Sequence, residues 1–218
     1  MRRVLFSKTG DAIWISHLDL MRVFQRSFRR AGLMLKHSQG FSPRAIVSIA
    51  LPLSVGVDSR CEILDFELVG EAVSDEEIKI RLNQALPLGV RVEEVYDSSR
   101  KLKELTHLQA RLALEYDKGV PEGAQTAIAA LFQRESLMVE KKSKKGVTSV
   151  DILPMVQKLE VSSQPDGLVL NAVICAQNPA LNPSLLAEAI AVYLPEFIPD
   201  FVKISRLEVL DGQGEAFR

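Results

Sequence analysis

The chain is poor in the residues that carry redox and metal chemistry, with 2 cysteines and 3 histidines in 218 residues, and aromatic residues make up only 6% of it. Two cysteines cannot by themselves hold an iron–sulfur cluster or a structural zinc, and no CxxxCxxC motif is present. Cys61 and Cys175 each sit in an apolar, strand-like stretch (SRCEILDFEL and LNAVICAQ), which predicts two buried thiols in a reducing compartment rather than a disulfide. His17, His37 and His107 are too dispersed for a metal site, so no metal or cofactor is expected. No apolar run approaches the roughly 18 residues needed to span a membrane, and the N-terminus begins as a strand rather than a secretion signal. A cytoplasmic location without membrane contact is the expectation.

A formal net charge of −1 conceals a polarised chain. Residues 1–60 hold ten Lys or Arg against three acids, a net +7, while the remaining 158 residues sum to −8. That asymmetry is the footprint expected where one end of a protein meets phosphate.

Hydrophobic periodicity and punctuation give an order of elements that occurs twice. The first half reads as strand (3–15), helix (17–31), two extended segments (46–51 and 61–68), helix (75–86) and strand (90–96). The second half repeats it as strand (107–116), helix (123–133), two extended pairs (137–140 with 147–152, then 159–163 with 168–176), helix (183–193) and strand (202–210). Ser74 with Glu77, and Asn182 followed by Pro183, supply helix starts where this scheme needs them. The polar stretch DSSRKLKE at 97–104 is the natural linker. The fold expected is α+β: two tandem ferredoxin-like (split βαβ) units with antiparallel sheets, over residues 1–98 and 105–218. In each unit the sheet face away from the helices must be covered, paired or used.

The densest signal is SHLDLMRVFQRSFRRAGLMLKHSQGFSPR, residues 16–44. On a helical wheel Arg22, Arg26, Arg29 and Arg30 share one arc, while Leu20, Met21, Phe24, Phe28 and Ala31 fall opposite. Ser16 and Asp19 form a capping box, and Gly32 ends the helix. The loop that follows offers Lys36, His37, Gln39 and Arg44 as polar donors around Gly40, with Phe41 between them. Either Phe41 stacks on a base, as in single-strand RNA binders, or it plugs the core and Gly40 is only a turn residue. With Lys8 and His17 these side chains form the candidate phosphate-facing surface. His17 beside His37 in space would also suit general acid–base chemistry, in a metal-independent RNA-processing nuclease. A second basic cluster, Lys141, Lys142, Lys144 and Lys145, reads as a hairpin tip.

Six segments carry a resemblance: FSKTG (6–10), SHLDLMR (16–22), RRAGL (29–33), SQGFSP (38–43), ALPLSVGV (50–57) and EILD (62–65). Together they resemble the radical-SAM-linked family of unknown function, whose members occur as separate chains or as the C-terminal part of a radical SAM protein. They are often encoded near a ribonuclease of the RNase G type and ribosomal proteins. The second half is similar more loosely, through VDILP (150–154), NPSLLA (182–187) and ISRL (204–207). Ser42 stands where members usually have asparagine, and Leu153 where they usually have arginine. The resemblance implies a companion of a separate radical SAM enzyme, not the radical enzyme itself. The expectation is an RNA-associated accessory protein for tRNA or rRNA, against a protein–protein adaptor that docks the radical SAM enzyme without RNA. Oligomeric state is left open.

Overall fold

The computed structural model describes residues 1–70, 72–143 and 146–218. It is an α+β chain with four α-helices among the described residues, none long and apolar enough to cross a membrane. Its contacts divide it into two units, Met1–Glu104 with Arg218, and Leu105–Phe217.

The first unit runs β1 (Arg2–Lys8), α1 (His17–Arg30), β2 (Val47–Ile49), β3 (Asp58–Phe66), α2 (Asp75–Ala85) and β4 (Val90–Asp97). Its strands lie in the order β4-β1-β3 with β2 on the far side of β3, and each of these pairs is antiparallel. Alternation along the strands turns Val4, Phe6, Leu64, Phe66 and Val92 to one face, where Phe24 and Phe28 of α1 and Ile78 and Leu82 of α2 cover them. Phe6 meets Phe24 edge-on at 4.7 Å between ring centroids, and Phe28 tilts on Phe66 at 5.0 Å. On the other face Arg3 lies directly opposite Asp65 in the β1–β3 register and binds it through two hydrogen bonds, of 2.6 and 3.1 Å.

One sequence expectation changes here. The first strand was expected to reach Ile15; it stops at Lys8, because Gly10 turns at φ +56° and residues Gly10–Trp14 coil into a 3-10 helix. The sheet face away from the helices, expected to be covered, paired or used, buries Arg3, Cys61, Ile63 and Asp65 in this unit. The linker also proves to be held: Arg3 donates to the Ser98 hydroxyl and the Arg100 carbonyl.

The second unit runs β5 (Leu105–Glu115), α3 (Ala124–Leu131), β6 (Met138–Ser143), β7 (Gly146–Asp151), β8 (Val156–Gln164), β9 (Gly167–Cys175), α4 (Ser184–Tyr193) and β10 (Phe201–Asp211). The strand order is β10-β5-β9-β8, again with antiparallel pairs, and β6 and β7 form a separate hairpin. Lys141 is exposed on β6, whereas Lys144 and Lys145 lie outside the described residues. Neither cysteine is in a disulfide; Cys61 is buried, but Cys175 at the end of β9 is only half-buried, against the expectation of two buried thiols.

Helix α1 is fixed at both ends by its own sequence. The Ser16 hydroxyl accepts the Asp19 amide at 3.2 Å and donates to the Asp19 carboxylate at 2.7 Å. That bond and the Arg22 guanidinium hold the Asp19 carboxyl below its ordinary range. At the other end Gly32, at φ +69°, lets the Leu33 amide reach the Phe28 carbonyl and its own amide reach Arg29, a Schellman close with Leu33 buried beneath it. Ser16→Ala is expected to destabilise the protein by about 1 kcal/mol in urea denaturation. A loss within error of zero would show that packing alone sets the start of the helix.

Candidate nucleic-acid interface

After Gly32 the chain turns back along α1 and pairs with the segment that leaves β3. The Lys36 amide donates to the Glu67 carbonyl, and the Val69 amide to the Met34 carbonyl, with Leu35 bridged to Leu68. The chain then doubles on itself as a narrow finger. His37 bridges Ala45, the Ile46 amide reaches the Lys36 carbonyl at 2.7 Å, and Ser38 closes the loop by bonding to Arg44 in both directions. Gly40 at φ +139° and Pro43 shape the tip, and Phe41 there is fully exposed, at 109%. Phe41 therefore does not plug the core.

Between the end of α1 and the base of this finger lies a groove of about 630 Å³. Buried Phe28 and Leu33 form its floor, with Leu35, Ala45, Met34 and Val69 along the sides. Gln25, Arg26, Arg29, Lys36 and His37 supply its polar rim. Met34 is 69% exposed although it is among the most apolar side chains present, so the groove offers both apolar surface and positive charge.

The structure sorts the eleven candidate residues into distinct groups. Arg26, Arg29 and Arg44 are exposed, and their side chains make no hydrogen bond or ion pair among the described residues. Arg22 is paired with Asp19 at 2.7 Å, and Lys36 with Glu67 at 2.7 Å, both at the surface where such pairs are weak and exchangeable. Arg30 donates to the Ala85 carbonyl at 2.7 Å, beside a bond from Ser27, and so places a cation on the C-terminal end of α2. Its first role is structural. Gln39 is exposed on the finger with Phe41. The His37 Nδ1 lies 3.0 Å from the Leu35 carbonyl; because a carbonyl can only accept, Nδ1 carries the proton.

Two placements overturn the sequence reading. Lys8 is buried, at 1% exposure, with its ammonium on the Ile13 carbonyl at 2.9 Å; burial lowers its pKa, opposed by Glu62. It cannot face a phosphate. His17 opens α1 more than two turns before Gln25, about 12 Å along the axis, and does not line the groove. Among the described residues no group of three or more His, Cys, Asp or Glu is placed to hold a metal ion.

Sequence reasoning missed Gln25, Met34, Ala45 and Val69. Their signal is weak, because the groove forms only when the chain after α1 folds back on it and Val69, 35 residues after Met34, reaches it through the pairing beyond β3.

These features define an α+β protein with antiparallel sheets and a cationic, apolar-floored groove in its first unit. The chain belongs to the bacterial family described as "Uncharacterized protein conserved in bacteria (DUF2344)", which it matches over residues 2–183. No curated protein matches it. Among solved structures it is similar to a chain of the "Crystal Structure of a Cbf5-Nop10-Gar1 Complex", at 9% identity and a TM-score of 0.49. That likeness covers 95% of this chain and 48% of the other, so the chain spans about half the length of that relative. It is also similar to "an Unknown Protein from Galdieria sulphuraria", at 14% identity and a TM-score of 0.28, over 94% of this chain and 97% of that one. At these TM-scores neither likeness specifies a fold.

Proposed function

We propose that this protein is a cytoplasmic, RNA-associated accessory protein that binds tRNA or rRNA through the first unit and acts with a separate radical SAM enzyme. The observation that carries the RNA reading is the groove itself. Arg26 and Arg29, whose side chains make no hydrogen bond or ion pair among the described residues, stand on its rim, and the finger that supplies Lys36 and His37 to that rim also carries Arg44 and the exposed Phe41. Cations placed beside an unburied aromatic and an apolar floor suit a polyanion with flat bases better than they suit a small anion. The radical SAM partnership is supported by the sequence motifs from FSKTG to EILD, among which SQGFSP forms the finger tip. Reading each unit as ferredoxin-like is supported by the strand orders β4-β1-β3-β2 and β10-β5-β9-β8, with the β6–β7 hairpin as an insertion in the second.

Arg26→Glu with Arg29→Glu tests the RNA reading, leaving Arg30 to cap α2. Wild-type protein is expected to bind purified bulk tRNA with an affinity that falls steeply with salt, and the double variant to lose about a hundredfold at low salt with its circular dichroism unchanged. Absence of binding by the wild type at low salt would overturn the reading and leave the adaptor role, with the radical SAM protein as direct partner.

A further inference from the structure

We propose that the groove and finger select unpaired RNA: one base seats on the apolar floor of the groove while another base of the same strand stacks on Phe41. The proposal deepens the RNA reading above and rests on it. Three observations carry it together. First, the cavity of about 630 Å³ lies within the range of roughly 300–1,000 Å³ typical of sites that take a small organic group, and its floor is apolar where a base presents its faces. Second, the rim holds hydrogen-bonding groups suited to base edges. The Gln25 amide is exposed and offers both donor and acceptor, and the proton on His37 Nδ1 is committed to Leu35, which leaves Nε2 as an acceptor when the ring is neutral. Third, Phe41 is held out by a closed ladder rather than by a loose loop, with bonds of 2.7, 2.8 and 3.0 Å across the stem from Lys36–Ile46 to Ser38–Arg44. A large aromatic kept in water by a fixed frame is poised for a flat partner.

A duplex cannot use these features. Its bases are already stacked and paired, and the deep, narrow major groove of A-form RNA keeps their edges from side chains. Duplex RNA would touch the exposed cations through its phosphates, Arg26, Arg29 and Arg44 among them, leaving the floor and Phe41 without partners. Single-stranded segments, bulges and loops satisfy all three groups at once.

Fluorescence anisotropy with a labelled 12-nucleotide single-stranded RNA and a 12-base-pair blunt RNA duplex tests this, using wild type, Phe41→Ala, and Arg26→Gln with Arg29→Gln. Because Phe41 is fully exposed, its replacement leaves the fold intact. The single strand is expected to bind at least about tenfold tighter than the duplex, and Phe41→Ala to weaken it about tenfold with an unchanged salt slope. The same variant should leave duplex binding unaltered. The double arginine variant should weaken both RNAs and flatten the salt dependence of both. Equal affinity for strand and duplex, or a Phe41→Ala variant that binds the single strand within twofold of wild type, would overturn base selection while leaving RNA binding in place. Failure of the wild type to bind either RNA would overturn both readings.

Discussion

Asp65→Ala is expected to destabilise the protein by about 3–5 kcal/mol, among the largest effects of any single side-chain truncation in the first unit. Arg3 and Asp65 face each other across β1 and β3, with side-chain exposures of only 2% and 8%. The guanidinium uses Nε and one Nη on the two carboxylate oxygens, and the other contacts reach Ser98 and Arg100. Removing the carboxylate leaves a cation in a low-dielectric setting where water cannot replace the lost partner, and that desolvation penalty, more than the lost attraction, sets the size of the effect. The pair is therefore expected to be strongly coupled. Arg3→Met combined with Asp65→Leu removes both charges at similar volume and should be less destabilised than Asp65→Ala alone, with a remaining deficit from the lost bond to the Arg100 carbonyl, since the Ser98 hydroxyl keeps its bonds to the Arg218 carbonyl and the Arg100 amide. Urea midpoints for the singles and the double give the coupling directly. An Asp65→Ala variant within about 1 kcal/mol of wild type would show that the burial is relieved by local opening.

The contrast between this pair and the groove shows what the sequence discloses and what it hides. Element order was legible because it depends on local signals. Ser16 and Ser74 accept the amides of Asp19 and Glu77, as their spacing indicates, and Gly32 stops α1 where it stands. The strand expected through Ile15 failed on a signal of the same kind, since Thr9-Gly10-Asp11 is turn chemistry that the apolar residues after it obscured. Burial of charge was not legible. Phe6, Ser7 and Lys8 are all covered at the end of β1, so a lysine read as surface by its type alone lies inside. Phe41 was legible only as a choice between a stacking and a core position, and the ladder between His37 and Ala45 holds it in water. The basic face of α1 was visible on a helical wheel, but not that Arg30 serves α2 while Arg26 and Arg29 remain available.

Gly167→Ala is expected to cost about 3–5 kcal/mol and to act on the second unit, by a mechanism that separates steric collision from conformational strain. Gly167 opens β9 at φ +154°, directly after the turn from β8, and pairs with Glu115 of β5 on one side and Gln164 on the other. A Cβ there would sit 2.0 Å from the Leu114 carbonyl oxygen and 3.0 Å from its carbon. Both are backbone atoms in a central strand, so no side chain can swing aside; relief requires β9 to move away from β5 and to weaken the ladder that continues to His107 and Cys175. Gly119 supplies the control. It also has a positive φ, of +85°, but a Cβ added to it meets nothing within 4 Å. Gly119→Ala should therefore cost only the strain of that backbone conformation, about 1 kcal/mol. Thermal and urea denaturation of the two variants side by side should show a severalfold larger loss for Gly167→Ala. Equal losses would mean that the β5–β9 ladder yields to the added methyl group, and that φ alone explains the preference for glycine at both positions.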